Sequence, residues 1–299
     1  MNTTCNHGRR VFALAGAVIS ACGTLHASII SSGNLVTVSS DRALRSYTFT
    51  GALMETLPIS GLPISGISAS PQGVAVIGNR LFIGLVSATA LYAPKIVEVN
   101  PTTGAVISIL DTIAPHLTAL GDDGANLLLL DSVPTTPWQV YAYNTSGVLV
   151  NQHSVDRHFP LNFQGEGIDS DGPSIFVAGQ IATYPGQPVI TNTAAGAYVS
   201  DFGTNMLPLV SFLGGLAYDR SDDTLWVAGN SEFRQFSRAG VLLAAVNTGD
   251  GNTGVTGLEV IPLAVPEPTA VLVWSVLGGI TFVIARQQRK ATAPSLLPG

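Results

Sequence analysis

Short apolar runs, separated by Gly, Asn, Asp and Pro, make up the chain from residue 28 to residue 264. Many of these runs alternate apolar and polar positions, which is the period of a β-strand with one buried face. No window of about eleven residues in this region keeps the 3.6-residue period of an amphipathic helix. The pattern therefore predicts an all-β domain over residues 28–264.

Two sequence markers recur along this domain. The first is a turn residue followed by an apolar strand, and its Leu or Ile recurs at intervals of 46, 46, 48 and 50 residues: Leu35, Leu81, Leu127, Ile175 and Leu225. The second is a strand that runs into a glycine, at intervals of 53, 43, 49 and 44 residues: Gly51, Gly104, Gly147, Gly196 and Gly240. Both markers predict five units of about 47 residues, the size of a four-stranded propeller blade.

A third marker suggests how the ring closes. A glycine followed by an apolar strand opens units at Gly73, Gly167 and Gly215, and it recurs at Gly257, where no second strand follows. The first unit begins at Asn34 without such a strand. We therefore expect the last strand to be the innermost strand of the first blade, which hides the free sheet edges. A six-bladed ring with one degenerate blade and a pair of β-sandwiches are the alternatives.

The stretch from residue 215 to 229 contains Gly-Leu-Ala-Tyr-Asp and then Thr-Leu-Trp-Val-Ala-Gly. It resembles the repeats of NHL and quinoprotein-like β-propellers. The resemblance implies an architecture and no particular activity.

The N-terminus has the parts of a secretory signal peptide in the expected order. Arg9 and Arg10 precede an apolar run from Val11 to Ala21, and small or polar residues follow up to Ala27. A basic segment, a short apolar segment and a small residue at the cleavage point are typical of such peptides. We expect residues 1–27 to be removed.

Two alternatives stay open for this segment. Ile19-Ser20-Ala21-Cys22 resembles the lipobox of bacterial lipoproteins, which implies acylation of Cys22. The run from Arg9 to Phe12 resembles a twin-arginine export signal. With cleavage after Ala27, both cysteines of the chain leave with the signal peptide. The mature protein would then have no thiol for a disulfide or a metal site.

The C-terminus contains an uncharged segment between a proline motif and a basic cluster. Pro266, Glu267 and Pro268 come first, the uncharged segment Ala270–Ala285 follows, and the cluster consists of Arg286, Arg289 and Lys290. The sixteen residues of this segment would span about 24 Å as a helix, less than the roughly 30 Å of the hydrocarbon core. The pattern predicts a short transmembrane helix whose basic end stays in the cytoplasm.

This order of parts resembles the PEP-CTERM sorting signal, the tail that exosortases recognise in exported proteins of Gram-negative bacteria that make exopolysaccharide. The resemblance covers residues 265–290 and implies transient membrane anchoring, cleavage by an exosortase-type enzyme near Pro266-Glu267-Pro268, and delivery to the cell surface or extracellular matrix. Residues 291–299 are a departure, because family tails usually stop soon after the basic cluster. The alternative is a simple C-terminal anchor with a proline-containing linker.

Charge limits the classes of partner. Residues 28–264 carry 18 acidic and 8 basic residues, a net charge of −10, and no basic cluster lies outside the termini. Nucleic acid is therefore not expected as a partner. The charge suits a solvated extracellular surface better than adhesion to anionic lipid.

Glu166 is the candidate channel residue, because it directly precedes the innermost strand that starts at Gly167. Some hydrolytic propellers resemble this Glu-Gly-Ile start and use such a glutamate to hold a metal. The matching positions here are Gln72, Gly214 and Thr256, which supply no second carboxylate. We therefore expect Glu166 to line the channel without holding a metal or acting in catalysis.

Three acidic segments have the composition of calcium loops: residues 122–124, 169–172 and 219–223. Each falls where a blade needs the turn between its first two strands, and Asp and Gly are favoured there by backbone geometry. None has the six-ligand spacing with a terminal Glu. We interpret them as turns.

Histidines and aromatic residues complete the set of candidates. The histidines outside the signal peptide are His116, His153 and His158, whose spacing fits no zinc motif. Five aromatic residues would suit either a sugar-stacking platform or packing between blades, and we favour packing: Trp138, Trp226, Tyr141, Tyr143 and Tyr218.

The sequence is consistent with two hypotheses for the function. The first is an exported, non-enzymatic surface or matrix protein whose propeller binds a polysaccharide or a surface protein. The second is a secreted lactonase- or esterase-like hydrolase with its site at the mouth of the channel. The sequence predicts no catalytic residue and no cofactor for the first.

Overall fold

The computed structural model describes ten segments of the chain: residues 28–31, 33–62, 69–87, 93–132, 137–158, 163–181, 188–204, 214–229, 231–249 and 254–261. The predicted signal peptide with Cys22, the motif Pro266-Glu267-Pro268 and the basic residues Arg286, Arg289 and Lys290 lie outside these segments and stay predictions. Within the ten segments, no helix combines the length and the apolar character needed to cross a bilayer.

The described residues form twenty strands in five antiparallel four-stranded sheets, which we name blades 1 to 5 and describe from the innermost strand outward. Blade 1 contains β20 (Val255–Ile261), β1 (Asn34–Ser39), β2 (Ala43–Thr48) and β3 (Leu53–Pro58). Blade 2 contains β4 (Ala69–Ile77), β5 (Arg80–Ser87), β6 (Lys95–Val99) and β7 (Val106–Asp111). Blade 3 contains β8 (Ala119–Asp122), β9 (Leu127–Asp131), β10 (Trp138–Tyr143) and β11 (Leu149–Val155).

Blade 4 contains β12 (Phe163–Ser170), β13 (Ser174–Ile181), β14 (Pro188–Thr193) and β15 (Tyr198–Gly203). Blade 5 contains β16 (Gly215–Asp219), β17 (Thr224–Ala228), β18 (Glu232–Ser237) and β19 (Leu242–Asn247). The inner strands β4, β8, β12, β16 and β20 contact one another in cyclic order. The fold is the predicted five-bladed β-propeller, and the six-bladed and sandwich alternatives do not describe it.

The predicted closure is confirmed by the pairing of β20 with β1. The two strands are antiparallel, with Asn34 opposite Ile261 and Thr37 opposite Leu258. At the other end of the pair, the Ser40 N–H donates to the Gly254 carbonyl (2.7 Å). The last strand of the domain therefore completes the first blade as its innermost strand.

Close approach of the inner strands explains the glycines of the third sequence marker. A Cβ at the four glycines of the marker would collide with the neighbouring inner strand: at Gly73 against Leu120, at Gly167 against Leu216, at Gly215 against Leu258, and at Gly257 against Gly73. Gly121 of blade 3, which is not part of the marker, makes the same kind of contact with Ile168. The contacts return to their starting point, so a ring of backbone contacts surrounds the axis. The third sequence marker does not occur in blade 3, because Ala119 stands where a glycine opens the inner strand of other blades.

The second sequence marker corresponds to one hairpin geometry used five times. Each third and fourth strand is joined by a turn whose glycine has a φ between 71° and 85°, a conformation that side chains disfavour: Gly51, Gly104, Gly147, Gly196 and Gly240. In every blade the pairing register shifts by one residue beside this turn. Turn chemistry therefore sets the repeat that the sequence displays.

Aromatic side chains fill the spaces between blades. Trp138 is fully buried, and Trp226 of blade 5 stacks on Phe49 of blade 1 with ring centroids 5.4 Å apart. Tyr218 of blade 5 stacks on Phe176 of blade 4 at 5.6 Å. Tyr141 and Tyr143 are likewise buried, so the five aromatic residues pack between blades and offer no open platform.

We expect Gly121→Ala to lower the free energy of unfolding by about 3 kcal/mol or more, because the added methyl group meets the Ile168 carbonyl of the next inner strand. Gly203→Ala is the matched control, since a Cβ there has no neighbour within 4 Å. Chemical denaturation followed by tryptophan fluorescence measures both. Equal effects of the two substitutions would contradict the backbone ring.

Candidate functional site

The inner strands bring one set of polar side chains to one end of the channel. The residue before the inner-strand Gly or Ala is polar in four blades: Gln72, Thr118, Glu166 and Thr256. All four line a pocket of about 450 Å³, together with Ser40, Ser70, Val86, Leu117 and Gln164. The fifth equivalent position is Gly214, which contributes no side chain. We call this cavity the Glu166 pocket.

A β-bulge carries Glu166. In the pairing of β12 with β13, Gly165 lies opposite Gly179 and Gly167 lies opposite Ala178, so Glu166 is the extra residue. Bulges turn a side chain away from the regular alternation of a strand. Ser132 holds the backbone just before the bulge, because its hydroxyl accepts from the Gly165 N–H (3.0 Å) and donates to the Gly165 carbonyl (2.9 Å).

Glu166 has no charged neighbour in the described lining of the pocket. Its Oε2 atom is buried and has no hydrogen-bond partner among the described residues. Burial alone raises the pKa of Glu166 to about 7. Every other residue of the lining is neutral, so the pocket carries one ionisable group and no counter-charge.

Four charged side chains from four blades meet further along the same channel. Asp122 ends β8, Asp169 lies in β12 and Glu259 lies in β20, and all three are almost fully buried. Arg220, just after β16, donates from Nη2 to Asp122 Oδ1 (2.9 Å) and to the Ser170 carbonyl (2.9 Å). We call Asp122, Asp169, Glu259 and Arg220 the carboxylate cluster.

Backbone amides satisfy part of the carboxylate cluster. Asp169 accepts from the Tyr218 N–H (2.5 Å) and from the Ser170 N–H (2.8 Å). Glu259 accepts from the Val260 N–H (3.0 Å). The Tyr218 contact joins blade 4 to blade 5, so the cluster also connects blades through the main chain.

Burial is the largest cause of the raised pKa values of the three carboxyls in the carboxylate cluster. It raises the pKa of Asp169 and of Glu259 well above the usual range, and the charge of Asp122 raises both further. Burial raises the pKa of Asp122 as well, and the guanidinium of Arg220 opposes the rise at all three. Three carboxyls facing one guanidinium hold protons in the folded state more tightly than in the unfolded chain.

The two groups of side chains lie at different depths of one channel. Glu166 and Asp169 lie three residues apart on β12, as do Thr256 and Glu259 on β20. Three residues of strand correspond to about 10 Å. The cluster has a cation for its carboxylates, whereas the pocket has none.

The predicted turns are present, and the sequence interpretation missed part of their role. Asp123 accepts from the Asn126 N–H (2.6 Å), Asp171 from the Ser174 N–H (2.6 Å) and Asp219 from the Ser221 N–H (2.9 Å), as turn residues do. Their neighbours Asp122 and Asp169 belong to the buried cluster instead. An acidic residue inside an apolar inner strand, as at Glu259, was the available signal.

The three histidines lie apart from the Glu166 pocket lining. His116 Nδ1 lies 3.5 Å from Asp131 Oδ1, and the ring of His158 stacks on Tyr198 with centroids 3.8 Å apart. His153 lies in β11, where burial lowers its pKa. Across the described segments, no group of three His, Cys, Asp or Glu side chains is arranged to hold a metal ion.

No family model and no curated protein matches the sequence. Among solved structures, the chain is similar to BamB from Moraxella catarrhalis (14% identity, TM-score 0.35), with 73% of this chain and 59% of that chain covered. It is also similar to Kuenenia stuttgartiensis hydrazine synthase (13%, 0.40), with 73% and 67% covered. A protein of unknown function from Bacteroides caccae gives 11% and 0.45, with 77% and 98% covered. The chain thus spans 59% of the BamB chain.

We expect Glu166→Gln to stabilise the protein at pH 8 by about 2 to 3 kcal/mol and to change little at pH 4. The folded-state pKa of about 7 exceeds the ordinary 4.5, so the folded state holds this proton more tightly and the stability contributed by Glu166 falls as the pH rises from 4.5 to 7. Denaturant titrations of the wild type and the variant at both pH values give the difference in their free energies of unfolding. The carboxylate cluster is the same in both proteins, so its contribution cancels from that difference.

Glu55→Gln on β3 is the control, since Glu55 lies outside the pocket lining. It should give the same difference from the wild type at both pH values. If the effect of Glu166→Gln on the free energy of unfolding were the same at both pH values, the carboxyl of Glu166 would not be buried without a partner.

Proposed function

We propose that the chain is the precursor of an exported surface or matrix protein whose propeller binds polysaccharide at the Glu166 pocket. A five-bladed propeller is consistent with a binding or structural module. The observation that carries the binding proposal is the unpartnered, buried Oε2 of Glu166 inside a cavity of about 450 Å³. Unpartnered polar atoms in a pocket are groups that a ligand can satisfy.

The lining favours a hydroxylated ligand. Besides Glu166, the lining contains the hydroxyls of Ser40, Ser70, Thr118 and Thr256 and the amide side chains of two glutamines. Hydroxyl and amide side chains donate and accept hydrogen bonds, as the hydroxyls of a sugar do. The Thr118 hydroxyl already donates to the Leu130 carbonyl (3.0 Å), so donation to a ligand falls to other groups of the lining. A polysaccharide therefore matches the lining better than an apolar ligand does.

Binding accounts for the pocket better than hydrolysis does. A lactonase- or esterase-like mechanism needs a nucleophile with its base, a pair of acid and base groups, or a metal that activates water. Glu166 is the single ionisable group of the described lining. The pocket therefore supplies one charged contact for a ligand and no second group for proton transfer.

The course of the chain supports a pocket that faces away from a membrane anchor. Ser40 after β1 and Thr256 in β20 line the pocket, whereas Asn34 and Ile261, at the opposite ends of those strands, pair with each other. Ile261, the last described residue of β20, therefore lies at the end of the ring remote from the pocket. A C-terminal anchor would leave the pocket open to the outside.

The sorting half of the proposal rests on the C-terminal motif. Pro266, Glu267 and Pro268 would be the exosortase recognition segment, residues 270–285 the transient membrane helix, and the basic residues 286–290 its cytoplasmic stop. The resulting location is first the inner membrane and then the surface or matrix of a Gram-negative bacterium. Acylation at Cys22 is the alternative route to the membrane.

Replacing Pro266-Glu267-Pro268 with three alanines should leave the full chain in the inner-membrane fraction, because the processing enzyme no longer recognises its segment. The control replaces Pro294 and Pro298 with alanine, which also removes two prolines from the C-terminal region. Cell fractionation and mass spectrometry of the mature C-terminus are the measurements. Unchanged delivery of the triple-alanine variant to the surface would refute the sorting proposal.

The full chain, extracted in mild detergent, should retain at least one glycan class on an array of neutral, amino and acidic glycans. Glu166→Ala should lower that signal about tenfold, because it removes the charged contact of the pocket. Glu55→Ala should leave it unchanged. Retention of no glycan, or equal loss in both variants, would refute binding at the pocket.

A further inference from the structure

The charge of the Glu166 pocket indicates which kind of polysaccharide it binds. Its neighbours come from several elements: Gln72 on β4, Thr118 before β8, Gln164 on β12, Thr256 on β20 and Ser40 after β1. All of them are neutral, so an ionised Glu166 gives the pocket a net charge of −1. Hydroxyl groups of a ligand can hydrogen-bond to this carboxylate, but they leave its charge uncompensated in a partly buried place.

A monovalent cation matches that charge. A single ammonium group would pair with the carboxylate through charge-assisted hydrogen bonds and leave the pocket neutral. A divalent metal would leave a net charge of +1, and it prefers several carboxylate oxygens, of which the pocket lining supplies one pair, from Glu166. The ammonium is therefore the cation that the pocket suits.

The walls of the pocket indicate what carries the ammonium group. Val86 and Leu117 are the apolar residues of the described lining, and the other positions bear hydroxyl, amide or carboxyl groups. A lysine side chain would need an apolar sleeve for its four methylene groups. A sugar ring presents hydroxyls in several directions, which the surrounding hydroxyl and amide groups can satisfy.

We infer that the Glu166 pocket binds an amino sugar of a polysaccharide with free amino groups, its ammonium group on the Glu166 carboxylate and its hydroxyls on the side chains of Ser40, Gln72 and Gln164. This inference rests on the proposed binding function and adds the chemical class of the ligand. It involves no covalent step.

Ammonium binding displaces a proton from the pocket. With a pKa of about 7, Glu166 is mostly protonated at pH 6, and pairing with an ammonium group favours its ionised form. The proton of the carboxyl then passes to the buffer, while the amine keeps its own. Ligand binding at pH 6 should therefore release close to one proton per site.

Three tetrasaccharides with the same linkage test the inference by calorimetry on the full chain in detergent. They are the β-1,4-linked tetramers of glucosamine, N-acetylglucosamine and glucose, which differ at carbon 2 in bearing an ammonium, an acetamide or a hydroxyl group. We expect the glucosamine tetramer to bind at least tenfold more tightly than the other two at pH 6. Measurements in buffers of different ionisation enthalpy give the number of protons released.

Glu166→Gln separates pocket binding from attraction to the acidic surface. It should abolish both the tenfold preference and the proton release, whereas Glu55→Gln, which removes the same charge from β3, should keep both. Circular dichroism establishes that each variant is folded.

Each other outcome has a definite meaning. Equal binding of the three tetramers, or a preference that survives Glu166→Gln, overturns the amino-sugar inference but leaves polysaccharide binding standing. Tetralysine binding as tightly as the glucosamine tetramer, or calcium chloride competing with that tetramer at equimolar concentration, also overturns it. Binding of none of the glycans on the array or among the tetramers overturns the proposed function itself.

Discussion

Direct backbone contact between the five inner strands is the constraint on which the rest of the structure depends. A Cβ at Gly121 or at Gly257 would overlap the main chain of the next inner strand, so the ring excludes side chains at these positions. The narrow ring brings residues from different blades within hydrogen-bond reach, as in the contact of Tyr218 N–H with Asp169. Both groups of polar side chains in the channel are consequences of that spacing.

The two groups differ in how their charge is compensated. In the carboxylate cluster, Arg220 and several main-chain amides face the buried acids, and hydrogen bonds join blade 5 to blades 3 and 4. Asp122 Oδ2 and Glu259 Oε2 have no hydrogen-bond partner among the described residues, but Arg220 supplies a cation. In the Glu166 pocket no cation of the described lining faces the carboxyl, and its Oε2 has no hydrogen-bond partner among the described residues. A buried acid without a partner lowers stability near neutral pH, which is the kind of cost that functional sites carry. The contrast within one channel is the reason for assigning structure to the cluster and ligand binding to the pocket.

Features that repeat locally along the chain could be predicted from the sequence. Side chains that come together only when the ring closes could not. Blade number and closure followed from turn glycines such as Gly104 and from the unpaired last strand at Gly257, because both features are local. The carboxylate cluster was missed, since Asp122, Asp169 and Glu259 are separated by 47 and 90 residues and meet only around the axis. The neighbourhood of Glu166 was predictable from its position before Gly167, whereas its lack of a partner required the packed surroundings.

The seam between β1 and β20 has a mechanical consequence. Its strands are antiparallel, so forces pulling Asn34 and Ile261 apart would open the seam like a zipper, one hydrogen bond after another. Force that pulls Ile261 of β20 against Ser39 of β1 would instead load all the pairs of the seam in parallel. The seam therefore resists force along its strands better than force that separates Asn34 from Ile261.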